Sequence, residues 1–446
     1  MPTVERAREW LGERVPAHSL AALRIGFGLV MLIATIRFAA LGWIDSLYVA
    51  PPFHFTYYGF SWVHPWPAPL LYAHFVLLGI AALAMALGAF HRVSSIAFVV
   101  LFGYVELLDV TTYLNHYYAI TLVGILLAAT PAANVASVDA WLARRRGRPL
   151  PTTVPRAAVF VFRAQLGIVY FFAGVAKLGT DWLFHAEPLR TWLLTQTDFP
   201  VVGPWLGAPW LAFAMSWAGA VFDLTIPIWL SLPRARPFAY AAVVVFHVVT
   251  GLLFPIGMFP WVMIGLTPIF FAPDWPVRLL RRATSAPSDP RGAALSPAWT
   301  VALAVWLLIQ TAMPLRHFLY RGNVLYTEEG FRWGWLVMIV ERQGSLTYRI
   351  ETPDGRQRDA TPDDLTPLQR RMMATQPDLI LQYAHHLRDR YAREGQPVRV
   401  FADAWVSTNG HRRRRLVDPT VDLAAEEDTV FGFDWVLTED DPRGID

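Results

Sequence analysis

The chain is 446 residues long, 54% of them hydrophobic and only 16% charged, with a mean hydropathy of +0.35. A soluble protein carries about a quarter charged residues, so this composition excludes an ordinary soluble enzyme and points to the membrane. The net charge of +3 comes from basic residues that flank apolar runs instead of clustering on one face, which argues against a nucleic-acid partner, and the absence of cysteine excludes disulfides, thiolate metal sites and a cysteine nucleophile.

Residues 1–18 are polar, and the apolar run that follows is a full span long with no small-residue cleavage site, so it reads as an uncleaved first helix. A membrane helix needs about 20 mostly apolar residues. By that measure nine spans are predicted, near 19–41, 69–89, 93–112, 116–133, 157–177, 209–231, 237–254, 257–272 and 298–316. The eighth is short enough to be re-entrant. Lys and Arg collect on the cytoplasmic side of short loops. Arg6, Arg8, Arg14, Arg92, Arg144, Arg145, Arg146, Arg148, Arg156, Arg234, Arg236, Arg278, Arg281, Arg282 and Arg291 fall on one side, and short loops of the other parity hold only Lys177 and Arg190. That bias predicts a cytoplasmic N-terminus and, with nine spans, an external C-terminus.

Past Arg316 the sequence turns alternating and charged. Residues 346–350 alternate into Pro353-Asp354-Gly355, a hairpin turn. A helix broken at Pro377 follows (365–375, then 378–393, closed by Gly395), and 398–408 is a second strand running into the hairpin signal Asn409-Gly410. The fold class is therefore an all-α polytopic membrane bundle over residues 1–318 followed by a small extracytoplasmic α+β domain over 319–446.

Polar groups within spans are costly and mark function or bundle-holding pairs. Arg24, Arg37, His74, Glu106, Asp109, Arg163, Gln165, Lys177, Asp223 and His247 meet that description. Glu106 and Asp109 are one turn apart, and a structural pairing with Arg163 or Arg24 is expected. Trp62 and Trp66 read as an interfacial belt, and Arg412 to Arg415 as a solvated face or an anchor for an acidic substrate or lipid headgroups. No Gly-rich phosphate loop and no metal-ligand spacing is present, so no metal is predicted.

Four segments predicted at the outer surface carry the chemistry: Phe53-His54-Phe55-Thr56-Tyr57; Thr111 to Tyr118 with Asn115-His116; Ala173-Gly174-Val175-Ala176-Lys177-Leu178 with Asp181-Trp182; and His247 ahead of Phe254-Pro255-Ile256-Gly257-Met258-Phe259. With Phe401 to Ser407 and Val417-Asp418-Pro419 farther on, this ordered set resembles the vitamin K-dependent γ-glutamyl carboxylases, whose bacterial relatives carry the horizontally transferred transmembrane domain. The likeness covers roughly residues 19–425. It implies that a lysine amine deprotonates reduced vitamin K or a related quinol. Uptake of O₂ then yields a base strong enough to remove a glutamate γ-proton, and the carbanion captures CO₂. The resemblance puts the catalytic lysine on Lys177 and the active-site histidine on His116, and brings forward Asn115, Tyr117, His247, Met258, Trp335 and Met338 as substrate- or quinol-binding residues. Animal members have two adjacent lysines where this chain has Ala176-Lys177. They also continue past the similarity with a region that helps dock a propeptide, whereas this sequence ends at Asp446.

The residues support the same chemistry, because loss of hydration in an apolar wall favours a neutral, proton-accepting amine. Taken alone, Lys177 would instead be a span-end lysine snorkelling to the interface, His116 a capping histidine and His247 a satisfied core histidine. Two other functions compete: a quinol-dependent membrane oxidoreductase without CO₂ transfer, and a non-enzymatic lipid- or quinone-binding membrane protein. The expected partners are membrane lipids and a Glu-containing peptide or protein.

Overall fold

The computed structural model describes residues 2–281 and 292–445; Arg282 and Arg291 of the orientation argument lie outside the described residues. Six helices are long and apolar enough to cross a bilayer: His18–Ala40, Ala68–Leu87, Ala157–Ala176, Pro209–Ser231, Arg236–Leu253 and Pro297–Leu319. The other three predicted spans are helical but short. They are His91–Leu107, Asn115–Ala129 and Phe259–Leu266, the last tightening into a 3₁₀ turn at Thr267–Phe270. Of the nine predicted spans, six are thus helices of full spanning length among the described residues and three are shorter. Apolar runs overstate helix length where breakers sit inside them. Asp109 ends one helix by accepting from the Thr111 amide (2.9 Å), and Pro260 and Pro268 bracket another.

Close packing in a membrane depends on small residues, since lipid offers no hydrophobic drive for helices to associate. A Cβ on Gly28 would lie 2.7 Å from the Ala86 amide, and one on Gly174 would lie 2.7 Å from the Leu224 amide. Those two glycines let His18–Ala40 approach Ala68–Leu87 and Ala157–Ala176 approach Pro209–Ser231. Val76, Ile80, Val93 and Val100 face outward and form part of an exposed apolar belt suited to lipid.

The arginine-rich connections gather at one end of the bundle. Arg14–Pro16 pairs antiparallel with Thr153–Pro155, Arg8 donates to the Leu295 carbonyl (2.9 Å), and the Ser19 amide to Pro273 (2.8 Å). Arg24, fully buried, makes no direct ion pair with a carboxylate among the described residues. It donates instead to the carbonyls of Met85 (2.9 Å), Ala132 (3.0 Å) and Ala136 (2.6 Å), and to that of Ala86. Arg163 likewise donates to Ile269 and Phe271, each at 2.9 Å. Both arginines satisfy carbonyls that helix ends leave open, so the expected pairing of Glu106 and Asp109 with Arg24 or Arg163 is not made. Glu106 accepts from the Thr121 hydroxyl.

At the other end sits a four-stranded antiparallel sheet, in the order Gln357–Ala360, Arg342–Glu351, Arg399–Thr408, Arg414–Arg415. Tyr348 pairs with Ala402 and Ile350 with Val400. Their buried side chains share a core with Leu379, Ile380, Tyr383 and Leu387 of the helix Pro377–Arg393. Asn409 (φ 49°) and Gly410 (φ 76°) adopt the left-handed pair that a tight hairpin needs. Asp109 fastens this sheet region to the bundle, since its carboxylate accepts from the Gln369 amide at 2.8 Å and lies 3.3 Å from His54 Nδ1. Gln382 adds a second tie, bonding both the amide and the carbonyl of Thr56 at 2.9 Å.

Candidate active site

Lys177 caps the C-terminus of Ala157–Ala176 and is only 5% exposed. Its amine does not snorkel to water. It lies 2.9 Å from Asp223 Oδ2 and donates to the carbonyls of Ala173 (3.2 Å) and Val337 (3.3 Å). The Trp182 ring centre is 5.3 Å away, within cation–π range. The close approach at Gly174, beside Leu224, is what brings these two helices near enough for the Lys177–Asp223 contact.

The pair faces a cavity of about 90 Å³ that is also lined by Tyr170, His247, Trp192 and Phe259. Tyr170 and His247 Nε2 are hydrogen-bonded at 3.0 Å, while His247 Nδ1 is buried without a partner. An adjacent cavity of about 330 Å³ is lined by Asn115, His116, Tyr117 and Met258, and by Arg37 and Glu106. Ile256, Phe259, Val337 and Met338 line both cavities and form the partition between them. Phe259 touches His116 on one side (ring centres 5.7 Å apart) and His247 on the other (5.6 Å).

The sequence-derived residues therefore divide. His116, Asn115, Tyr117 and Met258 line the larger cavity, Lys177 and His247 the smaller, and Met338 both. Trp335 lines neither; it is 1% exposed and stacked on Tyr118 at 5.0 Å. His116 makes no hydrogen bond to protein among the described residues and stays available to a ligand. Asn115 is occupied by the Tyr113 hydroxyl (2.9 Å) and the Leu336 carbonyl (3.4 Å). Sequence reasoning noted Asp223 as a polar residue in a span but gave it no partner. A carboxylate in the middle of an apolar helix was the signal; Phe259 was named only as the end of the segment 254–259, and Tyr170 and Val337 carried no signal.

The roof of both cavities comes from the segment between Thr327 and Arg342. Glu328, Trp333, Trp335 and Met338 all take positive φ there (63°, 62°, 54° and 54°), a backbone that non-glycine residues adopt only when their surroundings hold them. Arg332 fixes the segment through Asp378 at 2.6 Å. Its guanidinium loses hydration on burial, but the Asp378 carboxylate more than compensates and holds its pKa above the ordinary value. Trp192 adds a 2.6 Å bond from its indole to Glu341.

A helical membrane bundle with a buried lysine–carboxylate pair beneath a small sheet region defines a class of integral membrane protein. Residues 13–275 match the HTTM domain, and residues 295–441 match the lumenal domain of vitamin K-dependent gamma-carboxylase. The chain belongs to the vitamin K-dependent γ-glutamyl carboxylase family. No solved structure matches it.

Proposed function

We propose that this protein is a carboxylase that couples O₂-dependent epoxidation of reduced vitamin K, or a related quinol, to addition of CO₂ at the γ-carbon of a glutamate, with Lys177 as the initiating base. The observation that carries this reading is the buried Lys177–Asp223 pair beside a cavity. A lysine committed only to structure has no need of an adjoining void and an unpartnered imidazole nitrogen.

The residues fit a quinol. The 330 Å³ cavity reaches the lower end of the range for small-molecule sites, and Met258, Met338 and Tyr117 give it apolar walls. The polar head would sit at the Phe259 partition, with His116 on the side of the larger cavity and His247, whose Nδ1 is unpartnered, beside Lys177 on the side of the smaller. When bound, the quinol with O₂ supplies the strong base that the protein itself lacks. Lys177 Nζ takes the first proton. The pair carries no net charge beforehand, wherever its shared proton sits; one added proton makes it positive, which balances the negative charge left on the donor oxygen in a low-dielectric site. Lys177 need not act alone, because Asp223 can hold one of the two protons.

Orientation belongs to the same proposal. Arg8, Arg14, Arg24, Arg156 and Arg163 gather at the end opposite the sheet, which supports a cytoplasmic N-terminus and an extracytoplasmic position for 319–446 after a membrane part at 1–318.

The test uses the full chain in nanodiscs with reduced vitamin K, O₂, labelled CO₂ and a Glu-containing peptide. Label should enter the peptide and epoxide should form. Lys177→Ala should lower both by about 10²–10⁴-fold, and Lys177→Arg should not restore them, because a guanidinium stays protonated. Activity in Lys177→Arg would refute Lys177 as the base. Epoxide without label would identify a quinol oxidoreductase instead.

A further inference from the structure

A third cavity, about 420 Å³, opens between the sheet and the end of Ala157–Ala176, outside the proposed reaction chamber. Ala176 and Trp182 form one wall, Tyr326 and Val406 the other, and His411, Arg412 and Arg414 stand at its mouth. Trp182 also lines the Lys177 cavity, so its ring separates the cleft from the base.

The charges in the cleft are unevenly used. Asp181 accepts from His411 at 2.8 Å and from Asn409 at 3.0 Å, and Glu439 accepts from the Asn323 amide at 2.9 Å. Asp440 is exposed. Among the described residues Arg412 and Arg414 have no carboxylate partner, and a separate hollow beside Trp405 is lined by Arg412, Arg413 and Arg414. Deeper in the cleft the Thr408 hydroxyl is buried without a hydrogen-bond partner in a side chain only 8% exposed. A buried hydroxyl left unpaired costs about 1–3 kcal/mol, and a ligand in the cleft would satisfy it.

Resting on the carboxylase reading, we infer that this cleft binds the acceptor as an acidic peptide segment. Arg412 and Arg414 take carboxylates flanking the reacting glutamate, the Thr408 hydroxyl takes a backbone or side-chain oxygen, and Trp182 separates the bound segment from Lys177. A peptide is favoured over a lipid headgroup because Tyr326, Val406 and Thr408, all from the sheet region, build the far wall.

The experiment is fluorescence anisotropy of a labelled peptide bearing several glutamates, titrated with the full chain in zwitterionic nanodiscs, beside the same peptide with glutamine. The glutamate peptide should bind, with affinity falling steeply with salt. Arg412→Ala/Arg414→Ala should weaken it about tenfold and flatten that salt dependence, and Thr408→Val should weaken it severalfold. Neither arginine side chain makes a hydrogen bond or ion pair among the described residues, so folding should survive, as a melting curve will show. Equal binding of the glutamine peptide, or wild-type binding by the double variant, would overturn the inference. So would a double variant that loses only retention by anionic nanodiscs, which would mark a headgroup site. Binding with the expected losses but no carboxylation would leave the cleft standing and defeat the proposed reaction; carboxylation with binding unchanged in the variants would do the reverse.

Discussion

Lys177 Nζ lies 2.9 Å from Asp223 Oδ2, and each side chain is only 6% exposed. The two come from separate helices, and the distance suits a charge-assisted hydrogen bond. If they act as one proton acceptor, Asp223→Asn should cost most of what Lys177→Ala costs, and the double variant little more than Lys177→Ala alone. Initial rates of epoxide formation for the three variants make the test. Additive losses would mean that Asp223 contributes only to folding.

Gly174 should be as sensitive as a catalytic position although it carries no side chain. A Cβ there would meet the Leu224 amide at 2.7 Å, so Gly174→Val must part the helices that hold Lys177 and Asp223. Overpacking of this kind costs about 1–3 kcal/mol. Turnover should fall in Gly174→Val while membrane insertion persists, with Gly174→Ala milder. Full turnover in Gly174→Val would contradict the packing.

The Asp109 contact with Gln369 joins the two parts of the chain through buried groups. Gln369→Ala removes a donor from a buried carboxylate, a loss of about 1–3 kcal/mol. Thermal unfolding in detergent should shift downward, and limited proteolysis should release the sheet region sooner. A wild-type melting curve would show that other contacts hold the parts together.

With no native cysteine, the chain suits thiol labelling. Arg146→Cys and Arg356→Cys place single thiols on exposed sites at opposite ends. In intact cells an impermeant reagent should reach only position 356. Labelling at 146 instead would reverse the proposed orientation.

Acid should weaken the sheet region in two stages. Burial, with Arg388 nearby, holds the His385 imidazole below its ordinary 6.5. Its stabilising contribution is therefore full above that pH and lost as pH falls. Burial opposes ionisation of Asp364, but hydrogen bonds from Tyr383 and His386 outweigh it and hold the carboxyl below its usual 3.8; that contribution fails at lower pH still. Melting temperature should decline as pH drops below about 6.5, and His385→Gln should flatten the first stage. An unchanged slope would remove His385 from the account.

The sheet region was the most legible part of the sequence. Period-two alternation at Tyr348 and Ile350, Asn409-Gly410 and the break at Pro377 are local signals, and each sits where the chain needs it. Span length was read less well, because hydropathy sums over a window and misses stops such as Asp109 and Pro268. The neighbourhood of Lys177 was legible only in part. Asp223 is 46 positions away in sequence and Val337 is 160, and pairings over such separations follow from packing, which no local pattern encodes.

The Val337 carbonyl that accepts from Lys177 has a consequence for biosynthesis. Every long apolar helix among the described residues leaves the ribosome before residue 337 does, so Lys177 spends its first moments beneath an open roof. The cavity beside Lys177 closes only once the segment through Met338 has been made and Arg332 has found Asp378. A chain stalled before that segment therefore holds its lysine without enclosing it.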